Sequence, residues 1–312
     1  PYIGGGFGNK QEVLYEPLNA FLTMQVGGRP VKIELSREET FSCTRTRHAI
    51  KFKLKTAVRP DGRLVARKFE AWSNQGGYAS HGHAIVANAS NAYRHLYQDE
   101  KVLDADAYTV YTNLPSGGAM RGYGIPQVDF AMEAHMDDIA RGLGLDPVEL
   151  REKNCMKPGY VDPGTGIICY SSGLLACIEK GKAHIHWDEK RAAYRGQTGP
   201  VRRGVGMAVF SYKTGVYPTS METSACRIVM NEDGSAQVQM GATELGQGAD
   251  TVWAQIASEI LTIPEERLQV QAMQDTDVSP YDNGAYGSRQ TYVCGGAVKQ
   301  TAELMRDKIL AK

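Results

Sequence analysis

No C-x-x-C pair occurs anywhere in the 312 residues. The six cysteines (Cys43, Cys155, Cys169, Cys177, Cys226, Cys294) stand far apart, so their spacing specifies neither a zinc nor an iron–sulfur site, and they read as mostly buried thiols. An excess of one charge is also lacking. Thirty-five basic and thirty-five acidic residues cancel, so nothing draws the protein as a whole to nucleic acid or to an anionic membrane. No apolar run approaches the roughly 20 residues that a spanning helix needs, and no basic-then-apolar secretory segment opens the chain, so a cytoplasmic location is expected. The common nucleotide motifs are missing as well. Asn9-Lys10 is followed by Gln11 where a phosphate-binding P-loop requires Ser or Thr, and Asn9 stands where a Rossmann fingerprint would place its third glycine, which argues against ATP and NAD.

What is present is a chain with 42% apolar residues, enough for two domains with cores of their own. Leu14, Leu18, Phe21, Leu22 and Val26 recur at helical spacing before the Gly27-Gly28 stop, with Pro17 at a start or a kink. Val31–Leu35, His48–Val58 and Leu64–Trp72 read as strands, the last two joined in a hairpin by Pro60-Asp61-Gly62. A helix opening at Pro126 carries Val128, Met132, Met136 and Ile139 to about Gly142, and Asp146, Pro147 and Glu149 cap the next. The polar stretch 190–203 marks a domain boundary, giving domains 1–195 and 196–312. Beyond it, Gly204–Tyr212 reads as a strand and Ala225–Met240 as two strands hinged at Asn231–Gly234. A helix with Val252, Trp253, Ile256 and Ile260 follows, then a strand Leu268–Ala272 and a helical run from about Gln290 to the end. Strands and helices mix without strict alternation and without an internal repeat, so the fold class is α+β.

Three glycine-rich segments are built alike, at Gly4–Lys10, Ser116–Gln127 and Gly241–Asp250. Each places glycines before a helix, where positive φ, close backbone approach and unpaired N–H groups suit an anionic, phosphate-bearing ligand. Any one such loop can also do no more than close a tight turn. A non-catalytic phosphate-ligand-binding module is therefore the alternative to an enzyme.

Taken together, these segments resemble those of the xanthine dehydrogenase and aldehyde oxidase family, most closely the molybdenum-binding subunit of its bacterial xanthine dehydrogenases. Gly4-Gly5-Gly6-Phe7-Gly8-Asn9-Lys10 is similar to the family's G-G-G-F-G-[GN]-K loop. Thr112-Asn113-Leu114-Pro115, with Ala119-Met120-Arg121-Gly122-Tyr123-Gly124 and Pro126-Gln127, is similar to its T-N-x-P…A-x-R-G-[FY]-G-x-P-Q segment. Glu244–Gly248 resembles its E-[MLI]-G-Q-G loop, and Asp275-Thr276 through Ser288-Arg289 its D-T…S-R-x-[ST]-Y segment. Four motifs in the right order span nearly the whole chain.

The resemblance implies two mixed α/β domains of the molybdenum-cofactor-binding type, the second truncated, holding a molybdenum–pyranopterin with the cytosine dinucleotide form as a variant. The pterin would supply the sulfur ligands, leaving the protein outer-shell groups only. Gly6, Phe7, Gly8, Arg121, Gly246, Gln247, Gly287 and Ser288 would contact the cofactor, with Phe7 and Arg121 nearest the metal and Arg121 and Gln247 serving catalysis. Arg121 also has a physical reason, since a planar, permanently charged fork suits anionic oxygens. Gln11 and Tyr123 would face substrate. The loops are expected to meet in one cleft between the domains.

The implied reaction is hydroxylation of a purine such as xanthine or hypoxanthine, a related N-heterocycle or an aldehyde, with oxygen from water and a glutamate as general base. Electrons would leave through partner subunits carrying 2Fe-2S clusters and FAD. That glutamate is expected beyond Lys312, and Pro1 is not an initiator, so the chain reads as an internal piece that is inactive alone. Two features depart from the purine-oxidising pattern. Gln11 stands where a purine-gripping glutamate falls, and no arginine matches the second purine grip, Arg94 being out of register. His81 and His83, read as a strand pair on one side, lack a third ligand and are taken as structural; Arg45, Arg47 and His48 resemble an R-H segment read as structural or near the cofactor.

Overall fold

The computed structural model describes residues 3–98, 101, 103–217, 220–271 and 274–311. It divides into two compact units, one of residues 12–212 and the other of 1–11 joined with 213–312.

In the unit 12–212, α1 (Glu16–Gln25) and α2 (Arg37–Cys43) come first, the latter closed by a reciprocal capping box between Ser36 and Glu39. β1 (Ile50–Val58) and β2 (Leu64–Gly76) pair antiparallel, and β3 (Asp104–Tyr111) joins β2 in parallel. The hairpin turn needs its glycine. Gly62 has φ +88°, and a Cβ there would fall 2.7 Å from Leu145 Cδ1. α3 (Gly82–Ala92) and α4 (Ile125–Leu143) bring Val86, Ala89, Val128, Met132 and Met136 to the core that also holds Phe69 of β2. α5 (Pro147–Asn154) is capped by Asp146, whose side chain accepts from Val148 N at 2.8 Å. Its Arg151 is fully buried, donating to Glu133 Oε2 at 2.7 Å and Asp137 Oδ1 at 2.8 Å. α6 (Leu174–Ile185) and α7 (Trp187–Ala193) follow.

In the second unit, β4 (Cys226–Met230) and β5 (Ala236–Met240) form a hairpin, and β6 (Leu268–Val270) lies parallel to β5. α8 (Ala249–Leu261) and α9 (Gly295–Leu310) supply Trp253, Ala257, Val298 and Ala302 to this unit's core. A π-helical turn, Gln290–Cys294, leads into α9. Among the described residues no helix is long and apolar enough to cross a membrane.

Several expectations change. Val31–Leu35 and Gly204–Tyr212 are not strands, because no neighbouring strand takes up their backbone groups. Val205, Met207 and Val209 instead pack on the first core, and Val209 N donates to Glu133 Oε2 at 2.9 Å, so the chain leaves that unit at Tyr212 and not at residue 195. In the structure the first eleven residues group with 213–312. His81 stands at the N-terminal boundary of α3 without a capping hydrogen bond and His83 lies within the helix, where a strand pair was expected. Only Cys155 and Cys294 are buried; Cys43 and Cys177 are exposed. The strand end at Ala272 and the last residue, Lys312, lie outside the described residues.

Candidate cofactor-binding site

The first, third and fourth of the family motifs meet in the second unit. Gly5 N donates to Leu245 O at 2.5 Å, tying the N-terminal loop to the segment before α8. Gly246 has φ +105°, and a Cβ there would stand 3.2 Å from Gly5 N, so the crossing needs a glycine. Phe7 and Ser288 take left-handed backbone at φ 52° and 56°, uncommon for residues with side chains. Phe7, Gln247 and Ser288 are exposed. Gly5, Gly6, Phe7, Gly246, Gln247 and Ser288 line one cavity of roughly 470 Å³, with the 285–291 segment forming its other wall. Gly8, Gln11 and Gly287 do not line it.

Four side chains, of which only Gln290 lies outside the quoted motifs, hold this cavity in shape. The Glu244 carboxylate accepts from Gly246 N (2.6 Å), Gly248 N (3.0 Å) and Asp250 N (3.2 Å), satisfying donors at the start of α8. Burial pushes its pKa up, but the N–H donors of Gly248, Asp250 and Gly246 outweigh burial and hold it below the ordinary value. Gln247 Oε1 accepts from Leu245 N at 2.5 Å, and its Nε2 donates to Thr243 O at 3.1 Å and to Gln290 Oε1. Gln290 is anchored in turn by its own Nε2, 3.0 Å from Thr243 O. Behind Ser288, the buried Arg289 holds Glu222, Asp282 and the carbonyls of Thr223 and Gly284. A carboxylate two residues before a glycine and six before the end of the loop was the one legible signal, as an N-capping pattern.

Arg121 and Tyr123 belong to the unit 12–212. The Arg121 carbonyl accepts from Arg47 Nη2 at 2.6 Å, and Arg47 Nη1 reaches Gln127 Oε1 at 3.1 Å. Arg47 thus braces this loop, as the R-H reading allowed. Its neighbour His48 is buried, and a Cβ on Gly117 would meet that ring at 2.8 Å. Tyr123 sits at φ 48° between Gly122 and Gly124, both left-handed, with its hydroxyl 2.7 Å from His81 Nδ1. The second motif is therefore a rigid loop ahead of α4, and a Cβ on Gly124 would fall 2.5 Å from Ile85 O.

The cradle in the second unit fits a flat group laid against glycine backbone, with the N–H groups at the start of α8 already taken by Glu244. It is open, crossed by backbone at glycines that admit close approach, and floored by amides with donors and acceptors. The family description "Molybdopterin cofactor-binding domain" matches residues 1–155 and, as a second domain, residues 180–312. The chain belongs to the xanthine dehydrogenase and aldehyde oxidase family. It is 48% identical over 310 residues to the xanthine dehydrogenase molybdenum-binding subunit of Escherichia coli O157:H7, covering 99% of this chain and 41% of that relative. Quinoline 2-oxidoreductase from Pseudomonas putida 86 superposes with a TM-score of 0.85 at 25% identity, over 99% of this chain and 41% of its own. The aldehyde oxidoreductase from Desulfovibrio gigas gives 0.82 at 29%, over 97% and 33%. The chain thus spans about two fifths of the length of the curated relative. A non-catalytic phosphate-ligand module finds no support among these matches.

Proposed function

We propose that the protein forms the molybdopterin-binding part of an oxidoreductase that hydroxylates a purine such as xanthine or hypoxanthine, a related N-heterocycle or an aldehyde. One observation carries this reading: three motifs, the first more than 200 residues before the other two in sequence, line one open cavity. The relatives' names, a xanthine dehydrogenase subunit, a quinoline 2-oxidoreductase and an aldehyde oxidoreductase, support the substrate class.

The molybdenum–pyranopterin, in its simple or cytosine dinucleotide form, would supply redox chemistry and water-derived oxygen. Gly6, Phe7, Gly246 and Ser288 would bind it through backbone and ring contacts, together with Gly8 and Gly287 at the edges of the same loops. Gln247 would donate an N–H to it, exchanging that contact for the one to Gln290. Arg121 would place positive charge toward it, and Gln11 and Tyr123 would face substrate. Electrons would pass to partner subunits with 2Fe-2S clusters and FAD. Glu244 does not serve as the general base, because its carboxylate is occupied by backbone N–H groups.

Gln247→Ala in the holoenzyme tests the assignment. The fold should persist while molybdenum content and turnover fall together, by about tenfold, as expected for a group orienting a metal site. Metal analysis and steady-state kinetics that both match wild type would refute the role.

A further inference from the structure

The Tyr123 ring is half-buried, and its hydroxyl lies 2.7 Å from His81 Nδ1, with the two rings edge to face at 85° and centroids 5.7 Å apart. His81 Nε2 in turn stands 3.6 Å from Glu12 Oε1. That carboxylate accepts from Ser80 Oγ and, at 2.7 Å, from Arg45 Nε. The carboxylate favours a proton on His81 Nε2, which leaves Nδ1 as the acceptor for the tyrosine hydroxyl. Burial, followed by Glu12 and Tyr212, pushes the Tyr123 pKa up to about 12, so the hydroxyl stays a donor.

The backbone beneath the ring is equally fixed. Asn88 Nδ2 donates to Tyr123 O at 2.8 Å, Tyr123 N donates to Met120 O at 2.8 Å, and Arg45 is pressed under Gly118, where a Cβ would lie 2.6 Å from its own Cβ. With the backbone held, the hydroxyl bond settles the two remaining side-chain torsions. A phenol whose one donor is already committed recognises a neighbour through its face.

We infer that His81 is a positioning residue that engages the Tyr123 hydroxyl, so that Tyr123 selects flat heteroaromatic substrates by stacking and contributes little to aliphatic aldehydes. The inference rests on the function proposed above, with Tyr123 facing substrate. His81 and Glu12 lie outside the family motifs that carried that reading.

The test compares kcat and KM for hypoxanthine and for acetaldehyde in the holoenzyme, with calorimetric Kd for hypoxanthine alongside. The variants are His81→Leu, His81→Asn, Tyr123→Phe and the His81→Leu/Tyr123→Phe double, each checked by thermal melting. His81→Leu should raise KM and Kd for hypoxanthine about five- to tenfold, the worth of one hydrogen bond, with kcat little changed and acetaldehyde within about twofold. His81→Asn, which places an amide near the Nδ1 position, should restore most of the loss. Tyr123→Phe should match His81→Leu, and the double should be no worse than either single. If His81→Leu fails to fold, Tyr123→Phe against wild type gives the same comparison. Equal losses on both substrates, or additive losses in the double, would overturn the inference while leaving the proposed function standing. A wild-type holoenzyme that hydroxylates no purine, N-heterocycle or aldehyde would overturn the proposed function and this inference with it.

Discussion

Arg289 Nη1 meets Asp282 Oδ1 at 2.7 Å, and neither side chain exposes any surface. The same guanidinium reaches Glu222 Oε2 at 2.7 Å, so one fork joins three separate stretches of the second unit directly behind the cavity residue Ser288. Arg289→Leu should leave two acidic groups without their partner and cost about 3–5 kcal/mol, read by chemical denaturation. Lysine should rescue little, since a single ammonium cannot span four acceptors. A loss under about 1 kcal/mol would mean the cluster is dispensable.

The crossing of Gly246 over the N-terminal loop makes a second expectation. Gly246→Ala adds strain at φ +105° and a Cβ 3.2 Å from Gly5 N, so it should cost about 1–2 kcal/mol and lower molybdenum content in the holoenzyme. Gly142, where a Cβ would meet nothing within 4 Å, is the control, and Gly142→Ala should leave metal content unchanged.

Glu244 gives a pH dependence. Its folded-state pKa lies below the ordinary value of 4.5, so its contribution is fully present above pH 4.5 and is lost as pH falls through the lower folded value. Glu244→Gln should cost about 0.5–2 kcal/mol at pH 7, as for a lost helix cap, and the deficit should shrink below pH 4.5. A deficit that stays constant down to pH 3 would contradict the role.

Asp129 behaves in the opposite sense. Burial, then the nearby Glu133, pushes its pKa up to about 7, and its Oδ1 has no hydrogen-bond partner among the described residues. The folded state therefore favours the protonated acid, and stability falls as pH rises from about 4 to 7. Asp129→Asn should be more stable than wild type at pH 8 by about 1–3 kcal/mol and so melt higher, with the advantage fading at pH 4. Equal melting temperatures at both pH values would rule this out.

Much of the fold was legible where periodicity and punctuation agreed. The hairpin at Pro60-Asp61-Gly62, α4 and its apolar stripe, and α8 around Trp253 all follow from patterns a few residues long. Val31–Leu35 and Gly204–Tyr212 misled because an extended apolar run becomes a strand only when another strand pairs with it, which no local pattern specifies. α3 was missed because Gly82, Ala84, Ala87 and Ala89 offer small residues in place of an amphipathic stripe. At the site, glycine spacing located the loops that meet. The groups that hold them, Glu12 on His81, Gln290 on Gln247 and Arg289 on Glu222, are side-chain pairings between distant positions, and chain order does not encode them.

The N-terminal loop also sets an order of assembly. Gly5 finds its acceptor on Leu245, some 240 residues later, whereas residues 12–212 close a core among themselves. During synthesis at about 5–20 residues per second, the glycine loop is made before Leu245 and stays without this partner for on the order of ten to fifty seconds. The unit 12–212 can complete its own contacts within that interval. Formation of the cradle is therefore a late, high-contact-order event, and substitutions that slow it should be felt in the yield of assembled protein before they are felt in its equilibrium stability.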